Sequence, residues 1–313
     1  MRNFLKKIIL FNSLLAFSFC LLAFINYALY NSEKVSEIQK TSNILLLGDS
    51  TMECAINDTI FEHSFNKAHS SDSYFYSYLK LKDFIKSDQN IDTVFISFSP
   101  HNVFDNGWLK GEKNIYSRFR QYYFLMDWED FSFLFSKNSA AVISSIPSIA
   151  RESIKNTGKR LRGQSISSIY GGFNKLDRNI LEEVKLKLKN GEKLPFFDIP
   201  TNFSISENEI AYLNKIIKLT KKNGIQLYLV NLPKRSELLE YPKYGTEDFY
   251  QFYDLNYSNI DFLDFSRLEM LDDYYGDFVH LNSKGSTYFS TMLQNSSITT
   301  LENKFKRKAI NHK

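Results

Sequence analysis

Residues 44–50 read Ile-Leu-Leu-Leu-Gly-Asp-Ser, and no other stretch constrains the fold as much. Four aliphatic residues running straight into Gly-Asp-Ser predict a strand buried on both faces, the pattern of a parallel sheet, stopping at a turn that carries a hydroxyl. Ser50 then stands at the carboxyl end of a central strand, the edge where open α/β sheets place ligands. Gly48 allows the backbone to turn sharply, and Asp49 is suited to bond its own turn or cap a following helix. Taken alone, Gly-Asp-Ser is no more than strand-to-turn punctuation.

The rest of the chain supplies the partners such a strand needs. Asp92–Ser99 is a second β-branched and aromatic run, ending at Pro100-His101-Asn102 on the same sheet edge if the strands are parallel. Ile225–Leu232 and Ile260–Phe265 are further strands. Between and after them lie helical stretches at Tyr74–Ile85, Glu207–Asn223 (closed by Asn223-Gly224), Glu247–Leu255 and Ser283–Leu293. Strand and helix in alternation predict parallel neighbours joined by right-handed crossovers. From Phe104 to about Pro200 no strand pattern occurs, so this third is read as a helical insertion or lid. Its basic run at 159–162 is read as a solvated face.

Asp277 precedes His280 by three residues in one short segment, ahead of a helix start at Ser283. A serine hydroxyl becomes a useful nucleophile when an imidazole takes its proton and a carboxylate orients that imidazole. Gly-Asp-Ser early and Asp-x-x-His late, in this order and flanking an α/β pattern, resemble the SGNH/GDSL hydrolase family. The resemblance implies a three-layer, flavodoxin-like α/β domain with Ser50 as nucleophile, His280 as base and Asp277 as its orienting acid. It also implies oxyanion donors in His69-Ser70-Ser71, where relatives carry a glycine and a backbone N–H at Ser70 or Ser71 would serve, and at Asn102, where the usual Gly-x-Asn-Asp is replaced by Ser-Pro-His-Asn. His101 is read as a loop residue, and Asp264, near a strand end, is set aside in favour of Asp277.

No charged residue occurs from Ile8 to Tyr30, with Arg2, Lys6 and Lys7 before the run and Glu33 and Lys34 after it. Its length suffices to cross a bilayer, and the leading positive charges predict a cytoplasmic amino end with the main domain periplasmic or extracellular. A cleaved signal peptide is the competing reading. The expected organisation is thus 1–30 for the cytoplasmic start and transmembrane anchor and 31–42 for a tether. The SGNH-like domain takes 43–296, with its helical insertion at about 104–200, and 297–313 is a basic tail in solvent. Of two cysteines, Cys20 falls in the apolar run and Cys54 is read as a small buried side chain on the helix after Ser50. The net charge of +4 gathers at the chain ends, and no basic stripe with interleaved aromatics suggests nucleic acid.

The resemblance, with the outward location, implies a serine-dependent acyl ester hydrolase or O-acyltransferase acting on an exported carbohydrate or cell-envelope glycan, without metal or organic cofactor. Its partners would be an acylated carbohydrate or other ester and, for a transferase, a membrane protein that delivers the acyl donor. The alternative is a catalytically inactive relative with a polysaccharide-binding or assembly role.

Overall fold

In this computed structural model the described residues are 2–37, 43–87, 90–104, 112–164, 170–190, 192, 204–241 and 244–307. The end of the expected tether, 38–42, and the last six residues of the expected tail lie outside them. The strands are β1 (Ile44–Leu47), β2 (Ser64–Asn66), β3 (Thr93–Ser97), β4 (Gln226–Asn231) and β5 (Asp261–Asp264). The helices used below are α1 (Arg2–Glu37), α2 (Ser50–Ala55), α3 (Tyr74–Lys86), α4 (Pro100–Val103), α5 (Glu112–Tyr122), α6 (Trp128–Lys137), α7 (Ser139–Leu161), α8 (Leu181–Lys189), α9 (Glu207–Lys222), α10 (Ser236–Leu239), α11 (Thr246–Asn256), α12 (Ser283–Gln294) and α13 (Ile298–Phe305).

The chain divides into two compact units. One joins Met1–Lys40 to Leu109–Ile169, and the other comprises Thr41–Trp108 with Tyr170–Lys313. The stretch expected as one insertion from about 104 to 200 is therefore divided. Its helices α5, α6 and α7 group with α1, whereas the chain from Tyr170 onward belongs with the sheet.

The sheet unit holds five parallel strands in the order β2-β1-β3-β4-β5. This is a doubly wound order whose direction of growth reverses between β1 and β3, leaving a crevice at their carboxyl ends. Period-two alternation divides the strand side chains between two faces. Ile44, Leu46, Phe95, Val230 and Leu263 join Met52 of α2, Phe289 and Leu293 of α12, and Leu301 of α13 in one core. Leu45, Leu47, Val94, Ile96, Leu229 and Phe262 are equally buried and point to the opposite face. There α3 and α9 pack together, with Phe75 edge-on to Tyr212 at 4.9 Å. Full burial of each such aliphatic side chain contributes about 1.5–3 kcal/mol.

The sequence did not announce two features. Edge strand β2 is a three-residue Ser-Phe-Asn that pairs with β1 and carries no strand pattern of its own. The segment expected as a solvated tail instead forms α13. Beyond it, Arg307 donates its N–H to Phe262 O (2.9 Å) and its guanidinium to Asp254 (3.2 Å), while Lys306 pairs with Asp261 at 2.6 Å. The carboxylates of β5 and α11 give those two basic residues fixed partners that composition cannot reveal.

Candidate active site

β1 ends because Gly48 adopts φ +142°, and because a Cβ there would fall 1.9 Å from Ser97 Oγ on β3. Glycine alone permits both the turn and the close approach of the two strands. Asp49 then caps α2: its Oδ1 accepts from Thr51 N (2.8 Å) and Thr51 Oγ1 (2.6 Å). Ser50 is the first residue of α2, half-buried, with its N–H among the donors a helix start leaves unpaired.

The loop before α12 is folded by its own polar groups. Asp277 Oδ1 accepts from Val279 N (2.8 Å) and His280 N (2.9 Å), Gly276 N–H donates to His280 O (2.9 Å), and Asn282 caps α12 through Lys284 N and Gly285 N. The three-residue spacing follows from this geometry, since one carboxylate bonds the backbone of 280 and also meets its ring. His280 Nδ1 lies 2.9 Å from Asp277 Oδ2, and His280 Nε2 lies 2.8 Å from Ser50 Oγ. A carboxylate can only accept, so Nδ1 carries the hydrogen and Nε2 is left to accept the Ser50 proton. Burial opposes the Asp277 charge. The hydrogen bond and charge of His280, with the two backbone donors, outweigh it and hold the carboxyl down to about 2. Arg178, unmarked by any sequence pattern, donates from Nη2 to Asp277 Oδ2 at 2.8 Å. The loop carrying it is tied on by Ile180 N to Gly276 O and Ser283 N to Leu176 O.

Asn102, on α4 after β3, donates from Nδ2 to Asp49 Oδ2 at 2.7 Å. His101, expected as a loop residue, is buried, with Nε2 2.6 Å from the same Asp49 oxygen and Nδ1 2.9 Å from Ser99 Oγ. Hydrogen counting assigns the donors. Asn102 must turn its nitrogen to the carboxylate, so its oxygen faces Ser99 Oγ at 2.8 Å and takes that hydroxyl's single hydrogen. Ser99 then accepts from His101 Nδ1, and both ring nitrogens stand in donor positions. Burial opposes the Asp49 charge, but His101 beside it and the bonds from His101, Thr51 and Asn102 hold the carboxyl far below the usual carboxylate range.

Ser70 requires a correction. Its backbone N–H donates to Glu53 Oε2 at 2.9 Å and its hydroxyl donates to the same oxygen, so neither is available to an oxyanion. Glu53, one turn beyond Ser50, also meets His69 Nδ1 at 3.1 Å. Burial works against its charge, yet His69 and Ser70 bring its carboxyl below the ordinary value. The same helix buries Cys54, whose thiol is pushed up to about 12 by burial first and then by the fields of Glu53 and Asp277. That places it among inert structural thiols. Beyond β4, Lys234 is buried with its amine on Asn231 Oδ1 (2.8 Å) and Leu232 O (3.2 Å). Burial lowers it to about 8 against the opposing fields of Asp49 and Asp264. Among the described residues no group of three His, Cys, Asp or Glu side chains is placed to hold a metal ion.

A protein-family model whose description names no activity matches residues 194–302, less than half of the chain. No curated protein matches the sequence. Among solved structures, the chain is similar to the 2.00 Å crystal structure of a Bacteroides fragilis NCTC 9343 protein provisionally described as an acylhydrolase. The identity is 11%, the TM-score 0.37, and the match covers 84% of this chain and 91% of that one.

Proposed function

We propose that this is an SGNH-like serine hydrolase or O-acyltransferase that handles acyl esters, with Ser50, His280 and Asp277 as its relay. The observation that carries the reading is the continuous path from Ser50 Oγ through His280, 2.8 Å on one side, to Asp277, 2.9 Å on the other, with the serine partly exposed. Ser50 Oγ bonds to the acyl carbon as its proton passes to His280 Nε2, and the leaving alcohol departs with that proton. Water, or a sugar hydroxyl in a transferase, then attacks the acyl-serine ester while His280 again takes and returns a proton. Asp277 holds the ring in the required tautomer. The Ser50 N–H and the second amide hydrogen of Asn102 are the donors assigned to the oxyanion, each contributing about 3 kcal/mol when aimed at it.

α1 contains a 27-residue segment, Asn3–Leu29, long and apolar enough to span a membrane, features shared with a signal sequence. Read as an anchor with its positive end in the cytoplasm, it places the sheet unit outside. An acylated exported glycan is the substrate class that fits this location, and a transferase would draw its acyl group from a membrane partner. The commitment of Ser70 to Glu53 favours a second reading, an inactive relative that binds glycan. Hydrolysis of an aryl acetate by the full chain in detergent, compared with Ser50→Ala, decides between them. The enzyme reading expects a loss of at least about a thousandfold, and equal rates overturn it.

A further inference from the structure

In the unit formed by Met1–Lys40 and Leu109–Ile169, α7 buries three serines and an asparagine beside Ala141, Val142 and Ile149, yet leaves four large apolar side chains exposed. Its buried positions include Ser145, Ser148, Ser153 and Asn156, while Ile143 (56%), Ile146 (39%), Ile154 (61%) and Leu161 (84%) are exposed. At 100° per residue those four apolar side chains fall within a wedge of about 80°. The other residues of that wedge, Ser139, Ala150 and Thr157, carry no charge. Arg151, Glu152, Lys155, Lys159 and Arg160 all lie outside it, and the first half of the helix, 139–150, is uncharged. A helix packed in water turns its isoleucines inward and its serines outward.

The buried serines satisfy themselves within the helix. Ser145 donates to Val142 O (2.6 Å), Ser148 to Ser145 O (2.6 Å) and Ser153 to Ile149 O (2.8 Å). Their small size permits close helix packing, and Asn156 bonds across to the fully buried Asn26 of α1 at 2.9 Å. Tyr123, following α5, donates to Ala23 O of α1 at 3.0 Å. Small residues inside, an amide bridge between helices and branched aliphatics outside are how helices pack in lipid. The charged residues on the other faces match a helix lying at a membrane surface.

We propose that α7 lies in the interface of the bilayer that α1 crosses, with the Ile143–Leu161 stripe against the acyl chains. The proposal shares with the functional reading only the assignment of α1 as an anchor, and it is independent of Ser50. α7 packs directly on the spanning helix within the same compact unit, joined to it through Asn156 and Asn26, which selects lipid over a second protein as the occupant of its exposed stripe.

The test uses the full chain in phosphatidylcholine vesicles, in a Cys20→Ser, Cys54→Ala background with single nitroxides at Ile146→Cys, Ile154→Cys, Lys155→Cys and, on α1, Leu15→Cys. Positions 146 and 154 should collide with dissolved oxygen and be shielded from a water-soluble nickel chelate, as 15 is, whereas 155 shows the reverse. Nickel access at 146 and 154 equal to that at 155 overturns the proposal, as does exclusion of both reagents, the mark of a protein partner. Carbene labelling of the unaltered protein from a membrane-dissolved diazirine gives a second measurement. Label recovered on 143–161 supports the proposal, and label confined to α1 overturns it.

Discussion

Two histidines of the sheet unit each stand between a carboxylate and a serine hydroxyl, and the two differ in where their hydrogens point and in which serine reaches solvent. His280 turns Nδ1 to Asp277 and Nε2 to Ser50, which is half-buried and, among the described residues, ends no other side-chain bond. His101 turns Nε2 to Asp49 and Nδ1 to Ser99, but Ser99 is 2% exposed and its one hydrogen goes to Asn102. The distances are alike, so proximity alone does not make a nucleophile. What differs is the direction of the hydrogens and access to solvent. The first histidine is left able to accept a proton, and the second is a buried strut that ties Asp49 at the end of β1 to α4.

That contrast is tested most severely by removing each hydroxyl. Ser50→Ala should lower esterase kcat by at least about a thousandfold, whereas Ser99→Ala, which loosens Asn102 and removes a partner of His101 Nδ1, should cost about tenfold to a hundredfold. Equal losses in steady-state assays would erase the distinction. Next, His101→Gln should lower kcat by about a hundredfold with little change in KM, because Asn102 loses its fixed orientation. It should also lower the melting temperature, since it strips a buried carboxylate of a partner at a cost of about 3 kcal/mol. Arg178→Met should act on the first relay alone, reducing kcat/KM by about tenfold, equivalent to about 1.4 kcal/mol, without destabilising the second.

The last effect is on stability against acid. Asp277 is depressed to about 2 in the fold, so its contribution is complete above the ordinary carboxylate value near 4 and is lost as pH falls from there through 2. Asp49 acts in the same direction. Thermal melts between pH 5 and 2 should show this decline, and Asp277→Asn should flatten part of it, by about 2 kcal/mol. An unchanged slope in that variant would mean that Asp277 gains nothing from His280 in the fold.

Which parts of this were legible in advance follows a physical division. β1, β3 and β4 were readable because a strand covered on both faces is apolar through its middle, β5 by the apolar centre of its Ile260–Phe265 run, and α9 because its amphipathic run closes at Asn223-Gly224. β2 was not, because three residues of Ser-Phe-Asn carry no periodicity and pair only when β1 is already in place. Asp277 and His280 were readable as a pair because a single short loop brings them together. Ser70 was misassigned as an oxyanion donor because its partner, Glu53, is 17 positions away and only the folded chain joins them.

The amino-acid order by itself determined the strand-forming runs, the sharp turn at Gly48, the local Asp277–His280 pairing and an apolar amino-terminal segment, all of which depend on residues within a few positions of one another. Tertiary structure decided the 2.8 Å approach of Ser50 to a ring 230 positions away, the pairing of Asp49 with His101, and the burial of Ser145, Ser148 and Ser153 in α7. Hydrogen bonds and burial across such separations depend on where the sheet and helices place the backbone, and no local pattern encodes that placement.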